Sequence, residues 1–217
     1  MKTILDLATW KRREHFAYFS QFEEPFHGIV ANVDCTWAYQ YCKQQQHSFF
    51  LFYLYQVLNA VNQTDAMRYR IEDGQVVDYA RINASATVQR DDHTFAFCDF
   101  PFDPSFHGFV SGAQAAMDRV RQSSGLGFNA GQIDNDVIHF SAMPWISFTG
   151  LTHARQFKEK DSVPKISVGK YVQQDGKLMM PVAVFVNHAL VDGYHVHLFL
   201  QKLEALMNQA PGNTTES

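Results

Sequence analysis

The sequence predicts an α+β domain, a mixed β-sheet flanked by helices, and three observations carry that expectation. Amphipathic helical stretches and alternating strands follow one another without the regular β-α-β order of a parallel, doubly wound sheet. The run Met180-Pro181-Val182-Ala183-Val184-Phe185-Val186 has the composition of a buried strand, and it leads to Val196, Phe199, Leu200, Leu203, Leu206 and Met207 at helical spacing. Two Asp-Gly pairs, in Glu72-Asp73-Gly74 and Gln174-Asp175-Gly176, sit where tight turns join antiparallel arms.

From the N-terminus, residues Thr9 to Phe19 read as a helix with Thr9 as N-cap. Gly28 to Val33 alternates like a strand, and Thr36 to Gln46 reads as a short helix. Ser48 to Asn62 places Phe50, Leu54, Val57, Leu58 and Val61 on one face and predicts a buried helix. Arg68 to Tyr79 is a hairpin around its Asp-Gly turn. Ala84 to Gln89 and Thr94 to Cys98 read as strands, and Pro104 to Gln122 as an amphipathic helix stopped by Ser123-Ser124-Gly125. Val137 to Ala142 and Trp145 to Phe148 are strand-like, as is Lys165 to Val172 ahead of the second hairpin signal. One domain over residues 1–210 is expected, followed by a polar, frayed tail at 211–217.

Composition narrows the class. Hydrophobic residues at 46% and charged residues at 18% fit a globular chain and argue against disorder. Nineteen phenylalanines predict a core or a pocket lined with rings. A net charge of −4 with no basic stripe gives no support to a nucleic-acid partner. No apolar stretch reaches the length of a membrane span, and Met1-Lys2-Thr3-Ile4-Leu5-Asp6 lacks the apolar core of a secretory signal. Three cysteines without Cys-x-x-Cys spacing read as reduced, buried thiols, so a cytoplasmic location is expected. His195-Val196-His197 offers no metal site, because its members face apart on a helix and no acid or cysteine stands at ligand spacing. Ser124-Gly125-Leu126-Gly127 is a helix stop rather than a phosphate loop.

The segment with most chemical content is Asn187-His188-Ala189-Leu190-Val191-Asp192-Gly193-Tyr194-His195. It puts His188 where a strand runs out and an Asp-Gly pair at the turn into a helix. A histidine held there can offer one ring nitrogen to a ligand while its surroundings fix the other, as a general base requires. On its own the string has a plainer reading: a core histidine beside a turn whose aspartate caps the next helix.

Other blocks occur in order ahead of it: Trp10-Lys11-Arg12-Arg13-Glu14-His15-Phe16, Ala60-Val61-Asn62-Gln63, Phe140-Ser141-Ala142-Met143-Pro144-Trp145-Ile146-Ser147-Phe148 and Val168-Gly169-Lys170-Tyr171. With these the chain resembles, nearly end to end, the trimeric type A chloramphenicol acetyltransferases. The most specific matches are Trp-x-Arg-Arg-Glu-His-Phe near the start and His-Ala-x-x-Asp-Gly near the end. Dihydrolipoamide acyltransferase catalytic domains share the His-x-x-x-Asp-Gly string, but they normally follow lipoyl and subunit-binding modules. The resemblance therefore implies the chloramphenicol acetyltransferase-like, CoA-dependent acyltransferase fold, a two-layer sandwich.

It also implies a reaction: acetyl transfer from acetyl-CoA to the primary hydroxyl of chloramphenicol, conferring resistance, without a metal and without an acyl-enzyme. By resemblance His188 is the general base and Ser141 the hydroxyl that stabilises the oxyanion, while Asp192 pairs with Arg12 to hold the geometry around the histidine. Phe19 and Phe95 match ring positions of the acceptor pocket. Ser167 matches a threonine that in relatives holds a water near the intermediate. Lys170 and Tyr171 match residues at the adenosine end of the coenzyme. A homotrimer is implied, with His188 from one chain and much of the acceptor pocket from its neighbour.

Besides Ser167, the sequence departs from the family in four places. Asn187 stands where many relatives have a second histidine, Val191 replaces a common cysteine, and Ser48 replaces a coenzyme-end lysine. Thr149-Gly150-Leu151-Thr152-His153-Ala154 lacks the Ser-Phe-Asn-Leu-Asn pattern usual after the Pro-Trp strand, which bears on acceptor specificity. Two alternatives stay open: a same-fold acyltransferase acting on another small hydroxylated xenobiotic, and a catalytically silent relative that only binds hydrophobic ligands.

Overall fold

The structure, a computed structural model, describes residues 1–127, 135–155 and 161–212. Strand β1 (Lys2–Ile4) and helix α1 (Arg13–Phe19) lead to β2 (Phe26–Asp34), α2 (Thr36–Gln45), α3 (Phe49–Asn62) and a single helical turn, α4 (Asp65–Arg68). The hairpin β3 (Tyr69–Glu72) and β4 (Gln75–Tyr79) follows, then β5 (Asn83–Gln89), β6 (Phe95–Phe100) and α5 (Phe106–Gln122). The chain continues through β7 (Val137–Met143), β8 (Lys165–Gly169), β9 (Val172–Gln174) and β10 (Lys177–Asn187), and ends in α6 (Gly193–Met207).

These form a seven-stranded sheet ordered β2-β10-β8-β7-β5-β6, with β9 beside the first half of β10, and a three-stranded sheet ordered β1-β4-β3. The large sheet is mixed: β7 runs parallel to both β5 and β8, and its other pairings are antiparallel. The predicted fold class is the one observed.

Alternation along the strands divides the two faces. Ala84, Ala86, Phe140, Ile166, Val182, Val184 and Val186 enter the core, against α3, α5 and α6. Burying rings such as Phe140 and Phe199 contributes about 1.5–3 kcal/mol each. The opposite face carries Ser141, Ser167, Lys165 and Phe185. Arg70, fully buried, donates to the carbonyls of Asn135, Met67, Tyr69 and Val137 at 2.6–3.0 Å, tying the small sheet to the start of β7. Both Asp-Gly turns have positive φ at both residues, 49° and 76° in the first and 49° and 78° in the second, which is the twist a tight hairpin needs.

Three predicted elements are corrected. The first helix begins at Arg13, not Thr9: Thr9 and Trp10 bond back to Asp6 O in a separate turn, and Arg12 is the capping position. Trp145 to Phe148 is not a strand, because the chain turns at Pro144-Trp145, where proline offers no N–H to a ladder. Lys165 to Val172 divides into β8 and β9 because Pro181 of β10 has no N–H at the gap between their pairings. The polar tail expected at 211–217 lies outside the described residues from 213 onward.

Candidate active site

Three backbone hydrogen bonds and one to a side chain fix the turn that carries His188. Its N–H donates to Pro25 O at 2.8 Å, and the N–H groups of Leu190 and Val191 each donate to Asn187 O at 3.0 Å. Asn187 Oδ1 accepts from the Ala189 N–H at 3.0 Å, while its amide donates to Asp161 O. Asn187 is therefore the side chain that shapes this turn.

The imidazole of His188 stacks on Phe19, with centroids 4.0 Å apart and planes 9° from parallel, and its other neighbour is His27 at 4.5 Å. Nδ1 is buried without a hydrogen-bond partner, which leaves Nε2 as the nitrogen open to a ligand. His27 Nε2 donates to Val191 O at 3.1 Å. Burial holds His27 below the usual imidazole pKa; the Val191 carbonyl opposes this and His188 adds to it. A neutral His27 places no positive charge beside His188.

Asp192 does two jobs at once, one from each reading of the motif. Its Oδ1 accepts from the N–H groups of Tyr194 and His195 at 3.1 and 3.3 Å and caps α6, and His195 Nδ1 completes the capping box by accepting from the Asp192 N–H. Its Oδ2 pairs with Arg12 Nη1. Arg12 Nη2 donates to His188 O at 3.2 Å, so one guanidinium grips both the aspartate and the histidine's own backbone. Burial pushes the Asp192 carboxyl up, but His195, Arg12 and the capping hydrogen bonds outweigh it and hold it below its ordinary value.

A second group lies elsewhere on the sheet. Ser141 of β7 pairs with Ser167 of β8, which pairs with Ala183 of β10. Register puts Phe95 on this same face: Ser85 lies opposite His139 and Asp99, and two residues further on the strands reach Ser141 and Phe97, with Phe95 next on that side. Phe95 is 47% exposed. His153, in the segment after the Pro-Trp turn, brings Nε2 to 3.4 Å from Ser167 Oγ and stands edge-on to Phe185.

A third group stands between β8 and β9. Tyr171 packs against Tyr39 and Phe49 at 5.0 and 6.1 Å, and the hydrogen bond it donates to Tyr39 pushes its own hydroxyl pKa up to about 12. Lys170 beside it is exposed, and Lys43 lies 5.3 Å over the Tyr39 ring. Ser48, the residue in place of a lysine, caps α3 by accepting from the Leu51 N–H.

The structure thus joins His188, Asp192, Arg12 and Phe19 in one cluster, and Ser141, Ser167 and Phe95 on one sheet face. It does not join the two within a single chain. His188 stands five residues beyond Ala183, which at strand rise is about 16 Å from the level of Ser141. His27 and His153 were not expected from the sequence. No local motif marks them, and only the pairing of His27 with Val186 and the path of the 149–155 segment bring them in. Among the described residues no group of three or more His, Cys, Asp or Glu is placed to hold a metal, and no helix is long and apolar enough to cross a membrane. Burial pushes the Cys35, Cys42 and Cys98 thiols up to about 12, 12 and 11, which makes them poor nucleophiles.

Comparison with known proteins identifies the family and the fold. A family model described as chloramphenicol acetyltransferase matches residues 1–204. The chain is 27% identical over 208 residues to chloramphenicol acetyltransferase 3 of Escherichia coli, covering 95% of this chain and 97% of that one. It is 26% identical over 205 residues to chloramphenicol acetyltransferase 2 of Haemophilus influenzae, covering 94% and 96%. A solved chloramphenicol acetyltransferase structure superposes with a TM-score of 0.90 at 32% identity, covering 95% of this chain and all of the other. The matched length and the superposition agree: the chain belongs to the chloramphenicol acetyltransferase family of transferase enzymes and has its CoA-dependent acyltransferase fold.

Proposed function

We propose that this chain transfers acetyl from acetyl-CoA to the primary hydroxyl of chloramphenicol in the cytoplasm, giving resistance, and that it works as a homotrimer. The observation that carries the reading is His188, clamped through its carbonyl by Arg12, with Nδ1 sealed and Nε2 free. In this reading Nε2 takes the proton of the primary hydroxyl as its oxygen attacks the thioester carbonyl carbon. The Ser141 hydroxyl donates to the resulting oxyanion. Collapse of the tetrahedral intermediate expels the thiolate of coenzyme A, and the imidazolium returns the proton to sulfur. Both substrates are bound together, and no acyl-enzyme forms. Asp192 and Arg12 hold the ring rather than exchange protons, and Phe19 stacks against it at the acceptor side. Phe95 and Ser167 line the acceptor pocket, and Lys170 and Tyr171 receive the adenosine end of the coenzyme, Lys170 by charge and Tyr171 by its ring face.

The distance along the sheet between His188 and Ser141 supports an active site shared between copies, His188 of one facing Ser141, Ser167 and Phe95 of the next. Strand β2 ends the large sheet and leaves an edge on which a neighbour can build. The test is thiol release and acetylated product with chloramphenicol and acetyl-CoA, beside a panel of other small alcohols. A purified protein that acetylates other alcohols but never chloramphenicol refutes the substrate, and one that binds without turnover refutes the enzyme. Ser141→Ala is expected to lower kcat roughly 100- to 1000-fold, the cost of one oxyanion donor.

Sharing has its own signature. His188→Ala and Ser141→Ala chains, each inactive alone, are expected to regain activity when co-expressed. Random mixing into closed trimers leaves about one quarter of the interfaces with an intact histidine facing an intact serine. Mixed trimers as inactive as the parents would place both residues of each working site in one chain and overturn the shared site.

A further inference from the structure

We infer that His153, with Ser167, determines acceptor specificity, by binding a second polar group of the acceptor beside the hydroxyl that reacts. The inference rests on the acetyl-transfer reading above for the placement of the acceptor. It adds a residue that the sequence motifs do not mark.

Three contacts place the imidazole. Its Nε2 lies 3.4 Å from Ser167 Oγ, Ser167 is the neighbour of Ser141 in the parallel β7–β8 pairing, and the ring stands edge-on to Phe185 with centroids 4.9 Å apart. His153 is therefore one side chain removed from the hydroxyl assigned to the oxyanion, on the sheet face that also carries Phe95. Ser167 is fully buried, while the imidazole is partly buried. The pair thus presents a polar edge on the sheet face that also carries Phe185 and, three strands away, Phe95.

Whichever atom carries the shared proton, the hydroxyl keeps hydrogen-bonding capacity, because a serine oxygen has one donor and two acceptor sites. Burial, with a smaller effect of Lys165, holds His153 below its usual pKa, so at neutral pH the ring is uncharged and both donates and accepts. An acceptor that carries a second hydroxyl next to its reacting alcohol satisfies this edge. A monofunctional apolar alcohol covers the edge without pairing it, and leaving a polar group unpaired when the ligand excludes water is what selects against that ligand.

The test compares chloramphenicol, a 1,3-diol, with its deoxy analogue lacking the secondary hydroxyl, in wild type, His153→Leu and His153→Gln. The ratio of kcat/KM for the two acceptors is the informative quantity, since loss of the base or of folding lowers both equally and leaves it unchanged. Wild type should favour the diol, His153→Leu should reduce that preference roughly three- to tenfold, and His153→Gln, whose amide reaches about as far as Nε2, should restore most of it. Should His153→Leu fail to fold, Ser167→Ala reads the other half of the same pair. Binding constants for both acceptors without acetyl-CoA give the same ratio independently of turnover. A ratio unmoved by His153→Leu or Ser167→Ala overturns the inference. Absence of thiol release in wild type with a binding ratio that still moves overturns the acetyl-transfer reading and keeps the assignment of His153.

Discussion

His188→Ala is expected to abolish thiol release from acetyl-CoA with chloramphenicol while leaving the protein folded. General-base catalysis contributes about 100- to 10,000-fold, and in the proposed mechanism the same ring also returns the proton to the leaving thiolate, so the loss should reach the upper end of that range. The fold should tolerate the change because little depends on the ring. Nδ1 has no partner to strand, and the bonds that shape the turn run through the backbone, from the His188 N–H to Pro25 O and from Arg12 to His188 O. What is lost is the stack on Phe19, about 0.5–1.5 kcal/mol. The KM for both substrates should stay within a few-fold of wild type, since the ring acts on the transition state. Measured together, kcat, KM and the midpoint of thermal unfolding decide the matter. Near-normal turnover by a folded variant would remove the base assignment altogether.

How much of this was legible in the sequence depended on the range of the interaction. Local patterns placed β10 and α6 on either side of His188, because strand alternation, helical spacing and the Asp-Gly turns are written in neighbouring residues. They failed where a distant residue decided the outcome. Trp145 to Phe148 has strand composition, but Pro144 turns the chain out of the sheet, and Pro181 divides a run in another strand by withholding one N–H. The pairing of Arg12 with Asp192 spans 180 positions, and resemblance alone pointed to it. The capping role of Asp192, the plainer reading of the motif, is also present, because one carboxylate has two oxygens and uses each differently. His27 and His153 were illegible for the same physical reason: sheet register and a folded loop carry them to the site, and no neighbouring residue encodes either.

Asp192 separates these two roles experimentally. Asp192→Ala removes the cap of α6, worth about 1 kcal/mol, and strands Arg12, whose Nε is already buried without a partner, at roughly 1–3 kcal/mol more. Asp192→Asn keeps a carbonyl oxygen for the Tyr194 and His195 N–H groups and loses only the charge facing Arg12. The alanine variant should therefore be the less stable by about the value of the cap. Both should lose activity, because the guanidinium that grips His188 O is no longer anchored.

The sign of the pH dependence follows from the lowered carboxyl pKa. A group depressed in the folded state binds fewer protons there than in the unfolded chain, so its contribution is complete above the unfolded value of about 3.9 and is lost as pH falls through the lower folded value. The stability gap between wild type and Asp192→Asn should be constant above about pH 5 and should close at more acid pH, where the wild-type carboxyl is protonated as well. Denaturant unfolding of both proteins across that range measures the gap directly. If it stays open at pH values well below the ordinary carboxylate range, the difference comes from shape rather than charge, and Arg12 is held by packing and by the His188 carbonyl alone.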